Sequence, residues 1–496
     1  MLPTNPQRIL EFNYDISCPF AYIASTRVLL LAHRTNATLI YKPVLLGAIY
    51  RATAAPQGAG GSASDVFNSA KKAVTAQGMQ RTLRRYNIRY NPPPQHPRKT
   101  VNALRLLYCV TDQEKRRMLT DRLFQAYWVE GKDVNSNATL LQIASECGIK
   151  NMGEECFANA DARKALETST AEAIERGAFG VPGFWIPSAV WTNIDGGKRE
   201  GRFFWGQDRM HFVEATLLSL SSSSSSSSPG KPWRTVPALK SLMPRCVPND
   251  TPHGRVKLEF WFDFSSPWAF LAYTQLERLK TTFGKDLEIV MKPFLLGILF
   301  REIGAPNLPM AAISPAKALW SKQDHADWTE YWNAVNTQDA GKEDSIEEVK
   351  FYWADVFPIR TPTVLRVALV KPETTKLLFE ACWSHNQNVS DDSVLRTVLD
   401  KGGFNGTDLI ARANEPAVKA RLRTATAEAK ELGLCGVPTY RVLRQTNDGE
   451  WKAVGGLVWG QDETNIVEDL IAGWNPESSG EVARVTREAK GATSKL

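Results

Sequence analysis

The chain first declares itself at "ILEFNY", Ile9 to Tyr14, an apolar and aromatic-rich run that reads as a strand. The next segment, "PFAYIASTRVLLLAH", changes period. Its apolar residues recur at helical spacing behind Pro19, and proline is favoured in a first helical turn because its missing N–H has no partner to lose there. A second strand, "TLIYKPVLL", follows. Asp65 to Glu175 then keeps helical periodicity with only short loops. After it come "GVPGFWI", a strand led by Gly-x-Pro, and "GRFFWGQ", its hairpin partner. The closing helix is "RMHFVEATLL", which Asp208 is placed to N-cap. The order is β-α-β, helical insertion, β-β-α.

That order occurs twice. "RILEFNYDISCPFAYIA" matches "VKLEFWFDFSSPWAFLA", "LIYKPVLLGAIYRA" matches "EIVMKPFLLGILFRE", "RGAFGVPGFWI" matches "LGLCGVPTYRV", and "FFWGQDRMHFVEATL" matches "LVWGQDETNIVEDLI". Four matches in one order indicate duplication, with a period too long for a solenoid, so each copy is a full domain. Between them lies "SLSSSSSSSSPGKP", a composition that buries too little apolar surface to order itself and reads as a linker. The expected division is a first domain over 1–220, a linker over 221–253, a second domain over 254–478 and a polar tail over 479–496.

Composition narrows the class. With 43% hydrophobic and 23% charged residues among 496, the chain reads as globular. The net charge of +7 comes from scattered residues. The densest basic run, "RTLRRYNIRY", reads as a solvated helix face, so no nucleic-acid partner is expected. Seven cysteines, an odd number without a CxxC, argue against a disulfide scaffold and a zinc ribbon and for a reducing compartment. The six histidines show no ligand spacing, so no metal site is expected. No apolar run approaches the about 20 residues of a membrane span, and "MLPTNPQRIL" has no secretory h-region. The chain ends Ser494-Lys495-Leu496, the address read by the peroxisomal import receptor. The expected location is the peroxisome, with the cytoplasm as the alternative.

The candidate chemistry sits in the repeated strand–helix phrase. "YDISCPF" and "FDFSSPW" align at one offset, and Cys18 in the first stands where Ser266 stands in the second. Each falls at a helix N-terminus, where free N–H groups and the dipole favour negative charge. A thiol there ionises more easily, and a hydroxyl there can donate to another group's thiolate. The partner positions of a C-x-x-C motif are Ala21 and Ala269, so disulfide exchange is disfavoured. Pro182 and Pro438 open strands after Val181 and Val437, as an edge-strand start or as a cis peptide that exposes backbone to a ligand. His325 reads as a surface helix residue, Cys435 as a buried inert thiol, and Trp320, Trp328, Trp332 and Trp353 as core or as an aromatic pocket.

Together these motifs resemble the DsbA-like thioredoxin-fold family that holds 2-hydroxychromene-2-carboxylate isomerases and kappa-class glutathione transferases. The resemblance implies an α/β chain of two tandem thioredoxin-like domains, each with an inserted helical subdomain. It implies glutathione as cofactor and a small aromatic substrate. The family's active serine matches Ser266 and is replaced by Cys18. Its cis-proline loop matches Val181-Pro182 and Val437-Pro438. Its pair holding the γ-glutamyl end matches Gln207-Asp208 and Gln461-Asp462, and its lysine for the glycine end matches Lys317 and Lys71. The family's asparagine after the second strand has no counterpart in place, with Ala54 nearby in the first copy and Asn307 displaced in the second. The implied activity is a glutathione-dependent isomerase, with a kappa-like transferase or a non-catalytic thioredoxin-like binding protein as alternatives.

Overall fold

A computed structural model describes residues 8–220, 232–247, 252, 254–339 and 348–477. Each half is built on a four-stranded sheet. In the first, β1 (Ile9–Tyr14) runs parallel to β2 (Thr38–Pro43) and antiparallel to β3 (Gly183–Thr192), which pairs with β4 (Lys198–Trp205). In the second, β5 (Val256–Phe262), β6 (Leu287–Pro293), β7 (Thr439–Gln445) and β8 (Trp451–Trp459) repeat the arrangement. The strand orders are β2-β1-β3-β4 and β6-β5-β7-β8.

A parallel pair needs a crossover, and the helix Pro19–Arg34 supplies it in the first half. In the second the crossover is broken into Pro267–Tyr273 and Leu276–Phe283. The central strands β1 and β5 are covered on both faces, which is why they read as near-continuous apolar runs. Their two acidic residues are paired: Glu11 with Arg176 at 2.7 Å and Glu259 with Arg441 at 3.2 Å. The insertions are helical, from Ser69–Arg85 to Ala160–Glu175 and from Pro315–Asp339 to Pro416–Glu431.

The halves interlock. Pro315–Asp339 belongs to the second insertion, yet Trp328, Tyr331 and Trp332 bury in the first half's core. Trp328 lies 4.9 Å from the His211 ring and 4.8 Å from Phe212. Reciprocally, Ser69–Arg85 of the first insertion lies on β8, where Gln77 accepts from the Leu457 N–H and Arg81 donates to the Gly455 carbonyl, both at 2.8 Å. Arg85 pairs with Asp469 at 2.6 Å, both almost wholly buried. Each half thus covers the other's sheet with its own first insertion helix.

The serine tract itself, 221–231, lies outside the described residues. From Pro232 the chain is packed, contrary to the expectation of a linker reaching Gly254. Trp233, Val236, Leu239 and Met243 are buried, and the Trp233 indole donates to Thr216 Oγ1 at 3.1 Å. Four apolar anchors in twelve residues outweigh the Pro- and Ser-rich composition around them. The polar tail falls outside the described residues from 478 onward.

Candidate functional site

A buried aspartate fixes each helix opening. Asp15 accepts from the Ser17 and Leu46 N–H groups at 3.1 and 3.0 Å and from Thr100 Oγ1 at 2.7 Å. Asp263 accepts from Ser265 and Leu296 at 2.9 and 3.0 Å. These bonds tie the strand–helix turn to the end of the second strand, and the threonines that hydrogen-bond the aspartates, Thr100 in the first half and Thr361 in the second, tie it to the insertions as well. Burial nonetheless pushes both carboxyls above their usual range. A tryptophan from each insertion, Trp128 or Trp383, donates at 2.8 Å to a carbonyl of the same turn, on Ile16 or Phe264.

Held this way, the two N-cap side chains differ. Ser266 Oγ accepts from the Ala269 N–H at 3.2 Å, and its own hydrogen goes to no acceptor among the described residues. Cys18 makes no cap bond and instead donates Sγ–H to the Val181 carbonyl at 3.2 Å. The ease of ionisation expected of a thiol at a helix N-terminus is absent. Burial of Cys18 outweighs the Phe20 and Ala21 N–H groups and pushes its pKa up to about 12.

Val181-Pro182 and Val437-Pro438 are both cis. Each loop is locked to the Trp-Gly-Gln-Asp phrase of its own half. The Gly206 N–H donates to the Pro182 carbonyl and the Gly460 N–H to the Pro438 carbonyl, both at 3.0 Å. The tryptophans of that phrase press on the glycines of Gly-Val-Pro. A Cβ on Gly180 would meet Trp205 Nε1 at 2.9 Å, and one on Gly436 would meet Trp459 Nε1 at 2.9 Å. The two motifs therefore form one packed unit, which their separation in sequence conceals.

Gln207 and Gln461 are both engaged within the protein. Arg27 grips the Gln207 side chain and donates to its carbonyl at 3.1 Å. Gln461 accepts from the Trp332 indole at 2.8 Å and is 1% exposed, with its own Nε2 unpartnered. Asp208 and Asp462 converge from the two halves on one guanidinium: Arg209 Nη1 lies 2.7 Å from Asp208 and 3.0 Å from Asp462. The same arginine donates to both oxygens of Asp324, at 2.7 and 2.9 Å. Asp208 does not cap the closing helix as expected. It lies in the single turn Gln207–Arg209, and the helix Met210–Ser219 opens without a side-chain cap because the carboxylate is spent on Arg209.

The lysines are exchanged between the halves. Lys317 shares the second repeat with Ser266, but its ammonium stands 5.1 Å over Trp205 of the first half. Lys71 stands 5.5 Å over Trp459 of the second half and beside Cys435, whose pKa burial pushes up to about 12. Sequence order cannot show this, because it follows from the exchange of insertion helices. His325 is fully buried rather than on the surface. Its Nε2 lies 3.2 Å from the Pro267 carbonyl, behind the helix that Ser266 opens, and Phe351, Trp268 and Trp353 surround the ring. Desolvation lowers its pKa to about 3, so it is neutral. Trp328 and Trp332 are core, while Trp320 and Trp353 remain half-buried.

Among the described residues all seven cysteines are free, no three His, Cys, Asp or Glu side chains cluster as metal ligands, and no helix is long and apolar enough to cross a membrane. The arrangement in the second half can present one uncommitted hydroxyl, at a helix N-terminus, to an anionic group.

Known proteins are similar to each half of this chain. Glutathione S-transferase kappa 1 of Caenorhabditis elegans is 25% identical over 224 residues, 43% of this chain and 90% of that protein. The 2-hydroxychromene-2-carboxylate isomerase of Sphingobium xenophagum is 23% identical over 212 residues, 42% of this chain and 98% of that protein. A solved structure of a 2-hydroxychromene-2-carboxylate isomerase covers 43% of this chain and 96% of its own, at 21% identity and a TM-score of 0.33. The DSBA-like thioredoxin domain model matches residues 9–218 and again 257–472, stretches that hold both insertions and all eight strands except Val256, the first residue of β5, and the chain belongs to that family.

Proposed function

We propose that the second half is the working site of a glutathione-dependent isomerase. Its substrate would be a small aromatic compound with a conjugated carbonyl, an oxygen heterocycle of the hydroxychromene-carboxylate or chalcone/flavanone kind. The observation that carries this reading is the contrast between Ser266 and Cys18. Ser266 keeps a hydroxyl hydrogen free at a helix N-terminus, whereas Cys18 has committed its hydrogen to the cis-proline loop.

The residues present fit glutathione in the second half. An uncommitted donor faces a region where backbone N–H groups favour an anion. The Val437 carbonyl, unlike that of Val181, accepts from no side chain among the described residues. Ser266 and the Val437 backbone would hold the cysteinyl part. Glutathione bound there supplies a thiolate nucleophile that adds reversibly to a conjugated carbon. Ser266 donates its hydrogen bond to that sulfur and, with the helix N-terminus, lowers a thiol pKa from its ordinary value of about 8.5. Neutral His325, packed behind the Pro267 carbonyl, keeps the helix opening dry and in place. The first half, with its thiol held protonated, serves as a packing partner.

A second reading, a transferase that leaves glutathione on its product, is favoured by the kappa 1 glutathione S-transferase relatives of Caenorhabditis elegans and Rattus norvegicus. Calorimetry with glutathione, with and without an aromatic enone, tests both readings, and total absence of binding would overturn them. Product mass separates them: the isomerase product has the substrate's mass, and the transferase product is heavier by glutathione.

A further inference from the structure

Two thiols of the first insertion meet. Cys109 is the last residue of the helix Val101–Cys109, and Cys156 lies in the single turn Glu155–Ala158. Cys109 Sγ donates to the Cys156 carbonyl at 3.5 Å, and its sulfur is within hydrogen-bonding distance of the Cys156 sulfur as well. Cys156 Sγ donates in turn to Met152 Sδ at 3.4 Å. Arg105, one turn earlier on the Cys109 helix, donates to the Phe157 carbonyl at 3.1 Å and fixes the two segments against each other. Among the described residues no other thiol has a second sulfur beside it: Cys18, Cys147 and Cys246 face backbone carbonyls, and Cys382 and Cys435 are buried.

The fold does not demand this pair. The second copy has matching helices, Pro362–Val370 for Val101–Cys109 and Pro416–Glu431 for Ala160–Glu175. Counted from them, Val370 stands for Cys109 and Arg412 for Cys156, so the same place in the second copy is built without sulfur. Cys109 is half-buried and within reach of a small oxidant, and every residue from Lys150 to Glu155 is half-buried or exposed. The segment leading into the turn can therefore shift towards Cys109 without unpacking the core. Burial, with Cys156 and Glu155 beside it, pushes the Cys109 pKa up to about 12, so this thiol rests protonated and reacts slowly.

We propose that Cys109 and Cys156 form a modification site, a dithiol that hydrogen peroxide converts reversibly into a cross-link. Cys109, the more exposed sulfur, attacks one peroxide oxygen and becomes a sulfenic acid, and the other oxygen leaves as water. Cys156 then attacks that sulfur, an S–S bond forms, and the sulfenic hydroxyl leaves with the Cys156 proton as a second water. The two sulfurs are oxidised and the two peroxide oxygens are reduced. A dithiol reductant reverses the step by exchange. The bond joins the end of Val101–Cys109, whose preceding Thr100 holds Asp15, to the turn that leads into Ala160–Glu175. A closed loop restricts the unfolded chain more than the folded one, so the oxidised insertion is the more stable. The inference goes beyond the glutathione reading and does not depend on it.

The test is mass spectrometry of the full chain before and after hydrogen peroxide, with free thiols alkylated under denaturing conditions. Two of the seven alkylatable thiols should be lost. The peptides holding Cys109 and Cys156 should come off joined, two hydrogens lighter than their sum, as the predominant cross-link, and should separate again with dithiothreitol. Cys156→Ser should leave Cys109 as a sulfenic acid that dimedone traps. Cys109→Val, which copies the second half, should form no such cross-link while keeping the fold. The urea midpoint should rise on oxidation of the parent, return with dithiothreitol and stay unchanged in Cys109→Val. The proposal is overturned by Cys109 or Cys156 joined mainly to another cysteine, by either thiol of the parent passing to a sulfinic acid unjoined, by oxidation of Met152 with both thiols still free, or by a midpoint that does not rise.

Discussion

Cys18 and Val181 are bonded across the first half, Sγ donating to the carbonyl at 3.2 Å, and that bond closes the backbone group which Ser266 leaves open in the second half. Ser266→Ala should therefore lower turnover of an aromatic enone, with glutathione present, by about 10²–10³, the usual loss of one donor aimed at developing charge. Cys18→Ala should change turnover little, and Cys18→Ser is the sharper control because it restores the hydroxyl to the first half. Steady-state kcat measures both. Loss of activity in Cys18→Ala with a near-normal Ser266→Ala would move the working site to the first half.

Glu463 carries a pH dependence. Its Oε2 is buried without a hydrogen-bond partner, and burial together with Asp462 raises its pKa from 4.5 to about 7, with Asp208 adding to the rise and Arg81 and Arg85 opposing it. The folded carboxyl then keeps its proton up to near pH 7, while the unfolded one releases it near 4.5. Stability from this group falls as pH rises through that window and stays low above it. Glu463→Gln should be nearly neutral at pH 4 and stabilising by about 1–3 kcal/mol at pH 8. Urea midpoints at the two pH values decide it, and a variant less stable at pH 8 would refute the assignment.

Ala54 is exposed and sits at φ 51°, in the left-handed region, where its counterpart in the second half is Gly304 at φ 69°. An L-residue pays roughly 1–2 kcal/mol there, and glycine gives back part of the relief as unfolded-state entropy. Ala54→Gly should raise stability by about 0.5–1 kcal/mol, read from the shift in urea midpoint at constant slope. A downward shift would contradict the strain.

The interlock makes a prediction about covalent continuity. With a sequence-specific protease site in place of Ser221–Ser228, cleavage should leave the two fragments co-eluting as one particle and unfolding in a single transition. Trp332→Ala should weaken that association strongly, because burial of a tryptophan is worth about 3–5 kcal/mol and Trp332 also holds Gln461. Fragments that separate at once, each still folded, would show that the halves are independent.

Import is tested at the tail. A tagged chain ending in Ser494-Lys495-Leu496 should co-localise with peroxisomes, and one lacking Leu496 should be cytosolic. A cytosolic full chain with a free C-terminus would make the tripeptide a chance match.

Local chemistry and repetition were readable along the chain. Strand runs such as "ILEFNY", the proline that opens Pro19–Arg34, and the Gly-Val-Pro and Trp-Gly-Gln-Asp phrases depend on neighbours within a few residues, so their pattern alone located the elements, the duplication and Ser266. The departures arise where partners come from the other half. Periodicity shows that Pro315–Asp339 is a helix but not what covers it, so His325 reads as surface although it is buried, and nothing along the chain shows that Lys317 stands over Trp205 of the first half. The Asp208 cap was plausible locally and lost to Arg209, a stronger charged partner that also gathers Asp324 and Asp462. Cys18 looked activated by its helix and is silenced by desolvation, a property of everything packed around it. Burial and charge pairing are sums over the three-dimensional neighbourhood, and in this chain that neighbourhood is drawn from both copies at once.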